Sequence, residues 1–339
     1  MKKTSTFNIP CSIFIIHKTE NREQGAEDKK VRRNEFMNEK QRSDLVGLLS
    51  EGIRFNYPMD RYTTFRVGGK AEAVCFPSEL ILLRQTVSYL HDEGIPCLIV
   101  GKGSNLLVRD GGIKGVVIML KESLAAVERC GAGDNILLAG GGLAIAELLS
   151  YCGVNGLTGL EFLAGIPGSA GGAVFMNAGA FGKEIGDMVQ EVRLLTGTGD
   201  LKTVPGSQLC FSYRRSSLPE GSVIHGIIFN LNTDRQEKVS GRIAEYLKER
   251  RQRQPLDMPS AGSVFRNPPG DYAGRLIEKA GLKGKRIGGA MISQKHANFI
   301  VNTGGAKAEE IIALIDLARD KVKEETEIIL ETEIRIVGE

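Results

Sequence analysis

The placement of glycine constrains this chain more than any other feature. Its 42 glycines in 339 residues gather in loops rather than in low-complexity runs. One gathering lies in Leu98-Ile99-Val100-Gly101-Lys102-Gly103-Ser104-Asn105-Leu106-Leu107-Val108, where a short apolar strand runs into glycines and then two short polar side chains. Backbone N–H groups with Ser104 and Asn105 can surround an anion there, although a tight strand-to-strand turn fits the same residues equally well. A Rossmann fingerprint is excluded, because the GxGxxG pattern fails at Leu106 and no helical periodicity follows. The second gathering is Gly165-Ile166-Pro167-Gly168-Ser169-Ala170-Gly171-Gly172, crowded with small residues where a bulky side chain would block backbone approach. It can open a helix whose first N–H groups face a pyrophosphate, or it can serve a close helix–sheet contact. Two such loops in one region point to a dinucleotide.

Around these loops the pattern is of many short strands and few helices. The residues predict a short helix over 44–49, a strand over 71–76, and a helix over 78–93 capped by Ser78 and stopped by Gly94. Strands follow over 97–100, 116–120, 135–139, 189–195 and 223–231, with a helix over 144–152. A charged helix over 238–253 ends before Pro255, and 308–323 is amphipathic, with Ile311, Ile312, Leu314, Ile315 and Ala318 at helical spacing. The last strand is read over 328–337. Its apolar face carries Ile328, Leu330, Ile334 and Ile336, its opposite face Glu331, Glu333 and Arg335. This order argues for α+β rather than a doubly wound sheet.

The segment before about residue 43 reads differently. From Lys18 to Arg42 it is almost wholly charged and polar, too poor in apolar residues to offset its ordering entropy, so 1–43 is expected to be largely disordered or marginally helical. Organised sequence begins just after Met37, which makes Met37 a candidate start of translation. The remaining units are expected at 44–115, 116–234 and 235–339.

Charge and cysteine usage narrow the function. A formal charge of +3, with no basic stripe interleaved with aromatics, argues against nucleic acid. Six cysteines stand singly with no CxxC pair, against a zinc site or disulfide framework and in keeping with a reducing cytoplasm. His17, His91, His225 and His296 lie far apart and lack the spacing of a metal site. No apolar run reaches the length of a membrane helix, and the 9–16 run is too broken for a signal peptide.

Three further places carry possible chemistry. Ser263 sits in the small-residue turn Ser260-Ala261-Gly262-Ser263-Val264-Phe265-Arg266-Asn267-Pro268. With no histidine base nearby it is a poor nucleophile but a possible proton donor. In Phe211-Ser212-Tyr213-Arg214-Arg215 the arginines can stabilise negative charge, or simply form a solvated edge. The Glu331/Glu333/Arg335 face has the same ambiguity.

Taken together, these motifs resemble the UDP-N-acetylenolpyruvoylglucosamine reductase family, also called UDP-N-acetylmuramate dehydrogenases. The resemblance runs from about Phe55 to Gly338. It rests on Tyr62-Thr63-Thr64-Phe65-Arg66-Val67-Gly68-Gly69, the two glycine loops, Asn177-Ala178-Gly179-Ala180, Tyr213-Arg214, the Ser263 turn and Leu330-Glu331-Thr332-Glu333. It implies a vanillyl-alcohol-oxidase-type (PCMH-type) FAD-binding fold of two subdomains, followed by a C-terminal α+β substrate-binding domain. FAD would be held by Tyr62, Thr63, Thr64, Arg66, Gly101, Gly103, Ser104, Asn105, Gly165, Ile166, Pro167, Gly168, Ser169, Gly171 and Gly172. Ser263 would be the proton donor, assisted by Arg214 and Glu333; Tyr213, Asn267 and His296 match the family's substrate contacts. The implied reaction is NADPH-driven reduction of a UDP-sugar enolpyruvyl ether in the bacterial cytoplasm, for peptidoglycan synthesis, with no obligate protein partner. The short interval between Arg214 and Ser263 matches the shorter subtype, which lacks a tyrosine-bearing insertion and leaves open what caps the substrate. Another FAD enzyme of this architecture, or a nucleotide-sugar sensor without catalysis, would share the glycine loops.

Overall fold

Strand pairing divides the molecule more clearly than chain order does. The computed structural model describes residues 36–120, 124–131, 133, 135–219 and 221–339. A four-stranded sheet runs in the order Ile53–Pro58, Lys70–Cys75, Ile113–Met119, Cys97–Val100, with the first pair antiparallel and the other two parallel. Its central strand Ile113–Met119 is buried from Val116 onward, as a parallel strand covered on both faces should be. The expected boundary at 115/116 therefore cuts through a strand of this sheet and has to move beyond Leu120. Helices Glu39–Leu49 and Leu80–Asp92 cover one face through Leu45, Leu49, Leu83, Val87 and Leu90.

The first of those helices corrects the disorder expected up to 43. Asn38 caps it, accepting from the Gln41 N–H, and Gln41 reaches back to the Asn38 N–H. Met37 is buried and donates its N–H to Glu72 Oε1 at 2.8 Å. The rest of the expected tail, residues 1–35, lies outside the described residues. Helix Leu80–Asp92 begins two residues later than expected. Glu79 holds the cap position without a side-chain bond, so Ser78 caps nothing. Gly94 does end it, with the Ile95 N–H returning to the Leu90 carbonyl at 2.8 Å.

The middle of the chain forms an antiparallel five-stranded sheet in the order Leu201–Pro205, Val189–Leu195, Val223–Asn230, Ile136–Gly140, Val127–Arg129. Its core holds Phe162, Leu163, Val174, Ile227 and Phe229, and helix Ile145–Asn155 packs on it. The charged helix Gln236–Arg253 lays Ile243, Tyr246 and Leu247 against this same core. The expected boundary at 235 thus falls too early: its one apolar stripe is used here, and the C-terminal core begins after it. That last core joins helices Ala273–Lys279 and Ala308–Thr326 to a small sheet of Arg286–Ile287, Ala290–Ile292 and Ile300–Asn302.

The end of the chain is the largest departure from expectation. Only Arg335–Val337 is a strand, paired in parallel with Leu106–Val108 directly after the first glycine loop. Residues 330–334 instead cross the Ser263 turn. Arg266 N–H bonds Glu331 O at 2.9 Å, and Glu333 N–H bonds Val264 O at 2.7 Å. Those backbone bonds leave no regular ladder for 328–334, and they bring Glu333 beside Ser263's turn.

Candidate active site

A cavity of about 980 Å³ lies where the three cores meet. Two of its walls are the glycine loops. Gly101, Gly103, Ser104, Asn105, Ile166, Pro167, Gly168, Ser169, Gly171 and Gly172 all line it. The loops touch one another closely, since a Cβ on Gly101 would collide with Ser169 Oγ; one on Gly171 would lie 2.9 Å from the carbonyl oxygen of Gly141, just after strand Ile136–Gly140. Helix Ala170–Phe175 starts here, with Ser169 Oγ accepting from Gly172 N–H at 3.3 Å.

Five expected cofactor residues stand elsewhere. Tyr62, Thr63, Thr64 and Arg66 do not line the cavity; the first three lie against the 101–105 loop from behind. Thr64 N–H donates to Gly103 O at 3.2 Å, Thr63 Oγ1 is spent on Val67 O at 2.8 Å, and the Tyr62 ring stacks on Tyr57 and Phe76. Arg66 points to solvent at a positive φ of 55°. Gly165 faces away too, toward Arg250 and Leu247 of the charged helix.

The opposite wall is made of side chains from distant segments. Tyr213 and Arg214 form the two-residue turn of the hairpin Phe211–Ser212/Arg215–Ser216. Arg214 takes φ 55°, a left-handed conformation that costs a non-glycine residue on the order of 1 kcal/mol or more and is seen most often at functional sites. Two bonds hold the hairpin to the helix opened by the second glycine loop: Ser216 Oγ to Phe175 O at 2.7 Å, and the buried Asn177 Nδ2 to Ser212 O at 3.0 Å. Arg215, by contrast, is exposed. Of the two arginines only Arg214 enters the cavity.

Glu333 meets Arg214 there, Oε1 lying 2.6 Å from Nε, with the N–H not aimed along that line. Burial pushes the Glu333 carboxyl up from its ordinary pKa, and the positive Arg214 and Arg266 only partly offset it. Ser263 lines the same cavity. Its turn is clamped by Asn298, whose Oδ1 accepts from Phe265 N–H at 2.9 Å while its Nδ2 donates to Phe265 O at 2.8 Å. Sequence reasoning missed Asn298, since a lone asparagine in a loop carries no periodic signal.

Tyr213, Asn267 and His296 line the cavity as well. Asn267 is largely engaged: its N–H donates to Tyr213 Oη at 3.3 Å, and its Oδ1 accepts from Ala273 N–H at 3.1 Å. His296 Nδ1 accepts from Asn298 N–H at 3.2 Å, so the proton of the neutral ring sits on Nε2. Burial, then nearby Lys283, holds its pKa below the usual value and keeps the ring neutral. Arg250 is a further member the sequence did not signal. It lines the cavity, its Nε donates to Ala164 O at 2.9 Å, and burial beside Arg214 lowers its pKa.

Residues 71–205 match the model of an FAD binding domain, and residues 254–337 match that of the C-terminal domain of UDP-N-acetylenolpyruvoylglucosamine reductase. The reductase of that name from Syntrophomonas wolfei is 41% identical over 290 residues, 85% of this chain and 96% of that one. The Syntrophus aciditrophicus reductase is 43% identical over 302 residues, covering 88% and 96%. The crystal structure of the Thermus caldophilus reductase superposes with a TM-score of 0.72 at 35% identity, covering 84% of this chain and 98% of that one. The fold is therefore the vanillyl-alcohol-oxidase-type FAD-binding fold followed by a C-terminal α+β unit.

Proposed function

We propose that this chain, which belongs to the UDP-N-acetylenolpyruvoylglucosamine reductase family and carries its FAD-binding domain, uses NADPH to reduce the enolpyruvyl double bond of UDP-N-acetylglucosamine enolpyruvate. The product is UDP-N-acetylmuramate. One observation carries the reading: Ser263, Arg214 and Glu333, from three distant segments, line one cavity whose other walls are the two glycine loops.

The cradle fits a flavin dinucleotide, because both loops bring glycine backbone to the cavity wall, Gly101 and Gly103 from the first and Gly168, Gly171 and Gly172 from the second. Residues 101–105 and 166–172 would hold it. Bound there, a flavin would supply hydride chemistry toward the terminal carbon of the double bond, with NADPH as the reductant. Negative charge then gathers on the carbon bearing the substrate carboxylate. Arg214 stabilises that charge, and Glu333 holds the guanidinium against the cavity. A well-aimed donor of this kind contributes about 3–4 kcal/mol. Ser263 Oγ gives its proton to the same carbon; the enolate is basic enough to take it from a neutral hydroxyl. Neutral His296, with its Nε2–H, and Tyr213 line the same cavity and would hold the substrate.

Function follows a division at about 44–120, 121–253 and 254–339, the first two parts holding FAD and the last bringing Ser263 and Glu333 to the substrate. No helix of the described residues is long and apolar enough to cross a membrane. A UDP-sugar and NADPH as the reactants fit a cytoplasmic enzyme.

The test is spectroscopic. Without oxygen, NADPH should bleach the visible flavin absorbance of the purified holoenzyme, and the enolpyruvyl substrate should restore it. Ser263→Ala should leave the bleaching within twofold and slow the restoration about 100-fold or more. Restoration at the wild-type rate in that variant would reject Ser263 as the proton donor.

A further inference from the structure

Exposed aromatic rings concentrate at this cavity. Among the described residues Phe36, Phe181, Tyr213 and Tyr272 are the exposed aromatic side chains, and all but Phe36 line it. Two of the three rings already have partners. Phe181 stacks on Tyr246 with centroids 4.5 Å apart, and Tyr213 carries the Arg214 guanidinium 5.3 Å from its centroid. Tyr272 is 69% exposed and has no aromatic or guanidinium partner among the described residues.

Its backbone, in contrast, is fixed. The Tyr272 N–H donates to Asp271 Oδ1 at 2.6 Å, and the next N–H, of Ala273, is held by Asn267 Oδ1 at 3.1 Å. Helix Ala273–Lys279 then roots in the C-terminal core through Leu276 and Ile277. An aromatic side chain on an anchored backbone, with its ring left in water beside a cavity, is built to receive a planar group.

Position says which group. Asn267 links the N–H of Ala273, the residue after Tyr272, to the Tyr213 hydroxyl, and Tyr213 is chain neighbour to Arg214, at the reacting end. Exposure rises outward along this path, from a 21% exposed Arg214 side chain to Tyr213 at 47% and Tyr272 at 69%. A substrate whose enolpyruvyl group lies at Arg214 and Ser263 directs its diphosphate and base toward the rim. We infer that Tyr272 is the stacking platform for the uracil ring of the UDP-sugar, and that Asn267 sets its position through the Ala273 N–H. This rests on the reading that the chain reduces a UDP-sugar. It supplies a cap from the chain's own C-terminal unit, where the shorter subtype lacks a tyrosine-bearing insertion.

The experiment uses the FAD-loaded enzyme and three measurements. Tyr272→Ala should weaken UDP binding, followed by calorimetry, and raise the KM for the enolpyruvyl substrate, each by about 10- to 100-fold, the range for losing one base–aromatic stack. Tyr272→Phe should keep both within about threefold, because the ring and not the hydroxyl does the stacking. Flavin reduction by NADPH should stay within twofold in both variants, with bound FAD unchanged. UDP affinity within twofold of wild type in Tyr272→Ala overturns the inference. A weakened response to NADPH with UDP affinity intact also overturns it, giving the ring to the pyridine nucleotide. Failure of the wild-type enzyme to regain flavin absorbance with the enolpyruvyl substrate would instead reject the underlying reaction, whatever Tyr272 does to UDP.

Discussion

The two walls of the cavity are made in opposite ways. The wall proposed to hold flavin rests on backbone: two short runs, 101–105 and 166–172, whose small residues let main chain approach main chain. The wall proposed to be catalytic is side chains, with Ser263, Arg214 and Glu333 each delivered by a different segment. A wall of backbone is defined by what cannot be added to it; a wall of side chains is defined by which atoms arrive. The first should therefore fail on a single methyl, and the second should tolerate methyls but fail on functional groups.

Gly103→Ala is the sharpest test and the largest expected effect. Gly103 has φ 63°, and an added Cβ would collide with the Tyr62 carbonyl oxygen and lie 3.1 Å from Thr63 Cα. Those are backbone atoms, themselves tied by the Thr63–Val67 and Thr64–Gly103 bonds, so they cannot swing aside. Purified Gly103→Ala should carry little or no FAD by absorbance and unfold at a visibly lower temperature than wild type. A full complement of flavin in this variant would break the contrast between the walls.

The same contrast explains what was legible in the sequence. The glycine loops lie within short windows, so 101–105 and 165–172 could be read from local composition as a candidate phosphate-cofactor cradle, beside the turn and close-packing readings the same residues allow. Strand and helix cores were readable too, wherever an apolar period ran uninterrupted, as in Cys97–Val100 and Ala308–Thr326. Residues 328–334 misled because their alternation is that of a strand, while their N–H groups bond across to the Ser263 turn instead of along a ladder. Alternation records which side chains are buried, not where the backbone bonds go. The meeting of Arg214 with Glu333 depends on that crossing, so no spacing rule reveals it; only resemblance did. Of the residues that resemblance gives to FAD, Tyr62, Thr63, Thr64 and Arg66 do not line the cavity.

Glu333→Gln probes the catalytic wall by function, with an intermediate effect. Burial raises the carboxyl's pKa, so it keeps its proton to higher pH than an ordinary glutamate and ionises as pH rises further. Once ionised, it draws Arg214's charge to itself and away from the enolate. In wild type the oxidation of reduced flavin by substrate should slow as pH rises through this pKa. Gln cannot ionise, so its profile should be flat on that side, at a rate about tenfold lower, less than the loss of a full donor. The stability sign agrees. A folded pKa above the unfolded one gives stability that is present at low pH and lost as pH rises through the folded value. The Gln variant should lack that decline of melting temperature with rising pH. An unchanged high-pH fall in rate in Glu333→Gln would assign that fall to another group.

Gly262→Ala is the smallest effect expected and completes the contrast, because it adds the same methyl to the other wall. Gly262, next to Ser263, has φ 76°, but nothing lies within 4 Å of an added Cβ. The cost is then backbone strain alone, about 1–2 kcal/mol for a non-glycine residue in the left-handed region. That corresponds to a fall of about 2–8 °C in melting temperature, taking about 2–4 °C per kcal/mol. FAD content should be unchanged, since the turn lies across the cavity from the flavin loops. Turnover should fall by less than tenfold, because Asn298 continues to clamp the turn from its far side through Phe265. Flavin absorbance and a melting curve on one sample decide it. If Gly262→Ala lost its flavin as Gly103→Ala is expected to, the two walls would be one mechanical unit, and the division between a backbone-built and a side-chain-built half would have to be abandoned.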